Sequence, residues 1–533
     1  MTPEANPRIV AAPAVAAGWP APVLPVLHDL PLHGGAASRA LERLAAGGLP
    51  AHTLMQRAGA GLARLALAIA PHGRRVWVAA GPGNNGGDGL EAAAVLATAG
   101  RRVLVSLHGD PQRLPADAAE SLRKAVAAGV DIVRAGQAPP PDEADLAIDA
   151  LLGLGGRRPD GLIALGVAAL RRLHRAGTTV LAVDLPTGLH ADTGRRLGDE
   201  VVVADHTLSL LSLKPGLFTG AGRDHAGRVW LDRLQVDPAL VPCDAWLAGR
   251  TRLQRLDGRR HEQHKGSFGD LQVIGGAAGM EGAAALAATA GLSAGAGRVH
   301  LVTLGDGTPP ALRPELMRRT AAQALGPPLL AATTVVCGCG GGADVGALLP
   351  AVLADAARLV LDADALNAIA ASPTLRGALA ARRRPTVLTP HPLEAARLLG
   401  VTPFEVQADR LAAARRLAHE TGAVVVLKGS GTVIDAPEAV PLINPTGGPR
   451  LAAPGTGDVL AGWLGGLWSA HGGDTVPQAL ALAAAAVQWH GLAAEDGGPA
   501  ARLPLRAADL VEAMRGLGET GLGPAAPGRP GAG

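Results

Sequence analysis

Tyrosine is missing from this chain and phenylalanine occurs only three times, so its core must be packed mainly from leucine, valine and alanine. Cysteine is nearly as scarce. Cys243, Cys337 and Cys339 are too few for a disulfide framework and lack the spaced partners of a zinc site, which fits a reducing compartment and a cytoplasmic location. No block of lysine and arginine is long enough for a nucleic-acid surface, and a formal charge of +3 is small for 533 residues. Residues 1–29 have neither a basic start nor an unbroken apolar run, so they read as a disordered extension and not as a signal peptide. Stretches such as Gly282 to Gly297 are too weakly apolar and too rich in glycine to span a membrane.

What remains is a chain with 48% hydrophobic residues, 73 glycines and 42 prolines. Short Val/Leu strands alternate with Ala-rich helices, the pattern of α/β layers. The length exceeds what one core usually organises. We expect a first domain over residues 30–248, a second over 249–516, and a disordered Gly/Pro tail over 517–533. The two do not read as a duplication, because their glycine loops share no spacing.

In the first domain the pattern predicts two helices between Leu30 and Ala70 with a turn near Gly47 to Pro50, then a buried strand at Val76 to Ala80. Directly after it stands GPGNNGGDG, Gly81 to Gly89, which we read as a loop tolerant of positive φ. Asn84, Asn85 and Asp88 give it oxygens for a hard cation or for ribose hydroxyls. Strands are expected at Val103 to Leu107, Leu146 to Ile148, Val180 to Val183 and Val201 to Val203. Two of them end in aspartate, Asp149 and Asp184, and the C-terminal strand ends of a doubly wound sheet share one crevice.

The second domain carries strands at Leu271 to Ile274, Val299 to Thr303, Thr334 to Cys337, Leu359 to Leu361, Thr386 to Leu388 and Val424 to Leu427. LDADALN puts Asp362, Asp364 and Asn367 past a strand, where they either orient a phosphate-bound cation or cap the next helix. His391 stands at a helix start before Pro392. Lys428 leads a Gly-Ser-Gly-Thr turn of N–H donors suited to nucleotide phosphates. In PGTGDVLAG, Pro454 to Gly462, glycines open a helix whose first turn can hold an anion, and Asp458 beside that anion can draw a proton from an attacking hydroxyl.

GPGNNGGDG, DALLGLG, VDLPTGLHADTG and KPGL resemble the signatures of NAD(P)H-hydrate epimerases over roughly Leu30 to Leu240. HKG, IGG, LDADALN, TPHPLEAARLLG, VQADR, LKGSGT and GTGDVLAG resemble, in order, those of NAD(P)H-hydrate dehydratases over about Arg259 to Arg515. The resemblance implies an N-terminal Rossmann-like doubly wound sheet and a C-terminal ribokinase-like α/β domain. It implies epimerisation of the R and S hydrates of NADH and NADPH, then dehydration of the S form at the expense of ADP or ATP.

The site residues follow from the same resemblance. Asn84, Asn85, Gly86, Gly87, Asp88, Gly153, Leu154, Gly155, Gly156, Arg157, Arg158, Pro159 and Asp184 would contact the first substrate, with Asp184 catalytic. Asn85, Asp149 and Thr187 would ligate potassium; the family usually has serine at the position of Thr187. In the second domain Ala284, Gly340, His391 and Asp458 would meet the hydrate, with Asp458 as the proton acceptor. Lys428, Gly429, Ser430, Gly431, Thr432 and Gly457 would hold the nucleotide with Mg2+. The implied partners are the hydrated coenzymes, ADP or ATP and further copies of the chain, with no nucleic acid and no membrane.

Three departures from that pattern gather near Asp458. GCGGG at Gly338 to Gly342 replaces the usual GPGLG, Gly448 replaces an asparagine, and Pro454 replaces a glycine, so weaker nucleotide binding is expected. Two other readings stay open on the sequence: a ribokinase-like small-molecule kinase with an N-terminal nucleotide module, and a nucleotide-sensing protein without turnover.

Overall fold

The computed structural model describes residues 19–255, 259–305, 313–495 and 503–519. The chain forms two compact units, one reaching to Leu217 and including Ala221–Asp244, the other made of Phe218–Gly220 and the chain from Ala245 on. Both are α/β with largely parallel sheets, as the alternation of short apolar runs and Ala-rich helices predicted.

In the first unit, strand Arg75–Ala80 lies between Arg102–Leu107 and Leu146–Ala150, and all three run parallel. The sheet continues past Arg102–Leu107 to Asp131–Arg134, and on the other side through Thr179–Val183 and His206–Leu210 to Arg228–Asp232. Strand order therefore reverses between Arg75–Ala80 and Leu146–Ala150, which makes the crevice at their C-terminal ends the place for a ligand. Both faces of the sheet are buried: Val76, Val78 and Ala80 pack on one side, Trp77 and Ala79 on the other. That is why these strands read as continuous apolar runs without alternation.

The second unit repeats this logic with other residues. Its sheet runs Met317–Arg318, Arg298–Thr303, Asp270–Gly275, Thr334–Cys337, Arg358–Leu361, Thr386–Leu388, Val424–Leu427, then Val433–Asp435, Leu442–Ile443 and Ala245–Leu247. Pairing is parallel as far as Val424–Leu427 and antiparallel across the next two strands. Helix Thr456–His471 packs on helix Glu281–Ser293 at very short range: a side chain on Gly462 would strike the carbonyl of Ala287, and one on Gly466 the carbonyl of Gly291. Glycine at these two positions lets Val459, Trp463 and Trp468 bury fully, each such burial stabilising by roughly 1.5–3 kcal/mol.

Three expectations need correction. Val201 to Val203 is not a strand; Val201 and Val202 are buried in irregular chain, and the next strand is His206–Leu210. Residues 19–29 are not a disordered extension, because Ala21–Pro22 pairs with Leu231 and Trp230, and Val23 and Val26 are buried. Leu517 lies within helix Ala507–Glu519 and does not start a tail. The rest of the two expected extensions, residues 1–18 and 520–533, lies outside the described residues. Among the described residues no helix is long and apolar enough to cross a membrane.

Candidate functional site

GPGNNGGDG is less a loop than a helix start, since helix Asn84–Thr98 begins inside it. None of its glycines has positive φ. They permit close approach instead: a side chain on Gly86 would strike the carbonyl of Gly81, and one on Gly81 the carbonyl of Leu151. The helix start is thereby pressed onto the strand ends, which places Asn84 exposed at the rim and Asn85 beside Gly153.

Asp149 is fully buried. Its oxygens accept from the Thr187 N–H at 2.8 Å, the Thr187 hydroxyl at 2.8 Å and the Leu151 N–H at 3.2 Å. Burial outweighs these bonds and pushes its carboxyl up to about 6. Among the described residues no lysine or arginine forms an ion pair with it, so a buried carboxylate with a hydroxyl on it lacks a positive partner. The structure thus brings together Asp149 and Thr187 of the expected potassium set, while Asn85 stands nearby with its amide nitrogen buried and unbonded.

Asp184 adopts a left-handed backbone with φ of 66° at the end of Thr179–Val183. Its side chain meets the buried ammonium of Lys214, which also donates to the carbonyls of Leu210 at 2.8 Å and Ser212 at 3.0 Å. Around this pair lies a cavity of about 660 Å³ that also exposes Glu42, Asn84 and Asp88. Asp88 is held well above the usual carboxylate range by burial and by Asp184 and Glu42, and Glu42 is raised by burial and by Asp184. The arrangement therefore sets a carboxylate paired with a cation beside two carboxyls that burial and like charge make harder to ionise, a division suited to acid and base roles.

Of the segment Gly153 to Pro159, the cavity is lined by Gly153, Leu154, Gly155 and Arg157. The others depart from expectation: Arg158 turns outward to Asp199 at 3.3 Å, Pro159 packs against Gly188, and Gly156 does not line the cavity. Sequence reading missed Glu42, which lies on the preceding helix Gly35–Gly47 with no motif around it. It had Lys214 only as part of KPGL.

In the second unit the strand ends converge as expected. Asp362 does not cap the helix it precedes. Its Oδ1 accepts from the Lys428 ammonium at 2.7 Å and the Thr389 hydroxyl at 2.8 Å. Burial would lower the Lys428 ammonium, but Asp362 and Glu394 outweigh it and hold it raised. Lys428 also reaches the helix start, its Nζ 3.4 Å from where a β-carbon on Gly457 would sit. Asp458, in the first turn of Thr456–His471, is pushed up to about 6 by burial and by Asp362.

Asp364, on helix Ala363–Ala371, accepts from the Gly342 N–H at 2.9 Å and so ties that helix to the glycine turn after Thr334–Cys337. Gly340 lies in that turn at φ of 57°, its carbonyl bonded by the Ala277 N–H at 2.7 Å. Ala284 is fully buried and faces Gly276. Gly429 and Ser430 are exposed, Gly431 is buried, and the Thr432 hydroxyl turns back to the Gly429 carbonyl at 3.2 Å. His391 caps helix Pro392–Leu399, its Nδ1 accepting from the N–H of Leu393 at 3.1 Å and Glu394 at 3.3 Å, while Glu394 answers to the His391 N–H at 2.7 Å. The imidazole edge remains half-exposed.

VQADR also acquires a physical role. The buried guanidinium of Arg410 donates to the carbonyls of Leu427 at 3.0 Å and Lys428 at 3.2 Å, fixing the backbone from which the lysine projects.

Two family models match the chain: YjeF-related protein N-terminus over residues 51–216 and NAD(P)H-hydrate dehydratase over residues 271–514. A bifunctional NAD(P)H-hydrate repair enzyme of Coxiella burnetii is 38% identical over 506 residues, covering 90% of this chain and 97% of its own. One from Escherichia coli is 38% identical over 436 residues, covering 79% and 81%. The chain belongs to the bifunctional NAD(P)H-hydrate repair enzymes. A Bacillus subtilis ADP/ATP-dependent NAD(P)H-hydrate dehydratase crystallised with ATP and Mg2+ is 28% identical and covers 50% of this chain and 95% of that one, with a TM-score of 0.40. For a bifunctional repair enzyme the two clusters have an immediate sense, since each lies at the C-terminal strand edge of its own sheet. Neither alternative, kinase or sensor, is favoured by these relatives.

Proposed function

We propose that the first unit interconverts the R and S hydrates of NADH and NADPH, and that the second dehydrates the S form with ADP or ATP. The observation that carries this is the convergence of Asp458, Asp362, Lys428 and Gly457 at one helix start.

In the second unit Asp458 takes the proton of the C6 hydroxyl as its oxygen bonds to the terminal phosphorus and the bond to the remaining nucleotide breaks. Lys428 and the first-turn N–H groups stabilise the transferring charge. The phosphate then leaves C6, pushed by the ring-nitrogen lone pair, and loss of a proton from C5 restores the double bond. Mg2+ bound with the nucleotide would neutralise phosphate charge.

In the first unit the hydrate is a hemiaminal, so its epimers interconvert when the bond between C6 and the ring nitrogen opens and recloses. Asp184 accepts the hydroxyl proton and Asp88, whose carboxyl burial and Asp184 hold well above the usual range, supplies one to the nitrogen, the roles returning on closure. Asp149, Thr187 and Asn85 would hold potassium, since among the described residues the buried Asp149 carboxylate has no positive partner; the ion would supply that countercharge at the strand end.

Mixed R and S hydrates followed at the reduced-nicotinamide absorbance band, with phosphate measured in parallel, test the reading. Full recovery of reduced coenzyme with ADP or ATP and one phosphate per turnover is expected. A stable phosphorylated product would instead identify a kinase.

A further inference from the structure

Beside the large cavity of the first unit lies a smaller one of about 270 Å³, with Thr53 and Leu234 in the walls of both. Its charged lining groups among the described residues are Arg57 and Arg64, which share one face of helix Thr53–Ile69, and Asp232, which ends strand Arg228–Asp232. None of the three lies in a glycine-rich signature.

Each of these groups is held in place with bonding capacity to spare. Asp232 is buried; its Oδ1 accepts from the Leu234 N–H at 2.9 Å, while its Oδ2 has no hydrogen-bond partner. A side chain on Gly61 would strike that oxygen, so glycine there admits it. Arg57 donates to the Leu234 carbonyl at 2.7 Å, and Leu234 is thus fixed at both its N–H and its carbonyl. Leu234 and Gln235 are both left-handed, at φ of 50° and 60°, a costly conformation outside glycine that gathers at ligand sites. Arg64 makes no hydrogen bond among the described residues: its Nε is buried without a partner, a terminal nitrogen stands 4.0 Å from Asp232, and the guanidinium lies 5.6 Å from the centre of the Trp19 ring.

Two guanidiniums against one carboxylate leave the pocket positive even with Asp232 ionised, and burial makes that carboxyl harder to ionise. The first turn of the helix that Thr53 opens has no acidic side chain, so the positive helix end adds to the same field. Planar forks of N–H donors on one face match the oxygens of a phosphate. We propose that this pocket is a phosphomonoester site, with Arg57 and Arg64 gripping the phosphate oxygens and Asp232 sharing a proton with one of them through its free Oδ2. Because Thr53 and Leu234 line both cavities, the substrate itself is the nearest source of such a group: NADPH hydrate carries a 2′-phosphate that NADH hydrate lacks. That source rests on the reading of the first unit as the epimerase; a free phosphate from solution has the same chemistry.

The test compares Arg57→Gln and Arg64→Gln with the parent, in the full chain, for epimerisation of NADPH and NADH hydrates and, by calorimetry, for binding of inorganic phosphate. The difference between variant and parent separates this pocket from the nucleotide site of the second unit. Each variant should raise the KM for NADPH hydrate about ten-fold. Turnover of NADH hydrate should stay at the parent's value and so report an intact fold. Arg64→Gln breaks no backbone bond and decides the matter where Arg57→Gln disturbs the Leu234 turn. If both hydrates keep their KM in Arg64→Gln while phosphate binding is lost, the site takes a separate phosphate. Unchanged hydrates together with unchanged phosphate binding, or equal losses for the two hydrates in Arg64→Gln, overturn the inference. A parent that epimerises neither hydrate overturns the reading of the first unit instead, and the phosphate comparison then decides on the pocket alone.

Discussion

The ammonium of Lys214 is buried against the carboxylate of Asp184, at a strand end whose backbone is left-handed. Neither residue has another charged partner as close among the described ion pairs. Lys214→Met would leave the carboxylate buried and unpaired, at a cost of about 3–5 kcal/mol in the first unit. Epimerisation should fall sharply and the unfolding midpoint of the first unit should drop. Dehydration of pure S hydrate should persist; an unchanged midpoint would mean that the ion pair contributes little.

Asp149→Ala removes the charged oxygen from the candidate potassium site. Epimerisation should slow and its response to added potassium should disappear, which a titration with potassium against tetramethylammonium at constant ionic strength will show. An equal response in mutant and parent would exclude Asp149 as a ligand.

Asp458 acts as a base only when ionised, and burial together with Asp362 has pushed its carboxyl up to about 6. Dehydration should therefore be full above that pH and fall as the pH drops through it. Asp458→Asn should lower dehydration by about 10² to 10⁴ at pH 8, while epimerisation is unchanged. Nucleotide affinity, measured by calorimetry, should hold or increase because a negative charge beside the phosphates has gone.

Gly448 has an extended backbone with φ of −158°, and nothing lies within 4 Å of where its β-carbon would be. Asparagine therefore fits there without strain. Gly448→Asn combined with Pro454→Gly should tighten ADP or ATP binding severalfold with little change in stability. Unchanged affinity would show that neither departure costs a nucleotide contact.

Much of both sites was legible in the sequence because their residues sit at the ends of short Val/Leu strands. A parallel sheet brings such ends to one edge whatever the intervening helices are, so Asp149, Asp184, Asp362, Lys428 and their glycine turns could be grouped from strand rhythm alone. The glycines of GPGNNGGDG were located correctly but misread, since close helix–strand approach and positive φ demand the same residue and only coordinates separate them. Edge strands escaped for the opposite reason. Ala21–Pro22 holds to the sheet through pairing and two buried valines, too short a signal to stand out from its Pro-rich surroundings.

The sequence by itself determined the two α/β units, the order of their motifs and the residues at their strand ends, because these depend on local periodicity and chain direction. Tertiary structure alone decided which charges meet. Lys428 chose Asp362 over the adjacent carboxylates, Lys214 closed on Asp184, and Glu42 arrived from a separate helix. Such pairings depend on distances of a few ångströms between segments remote in the chain, where burial strengthens each contact.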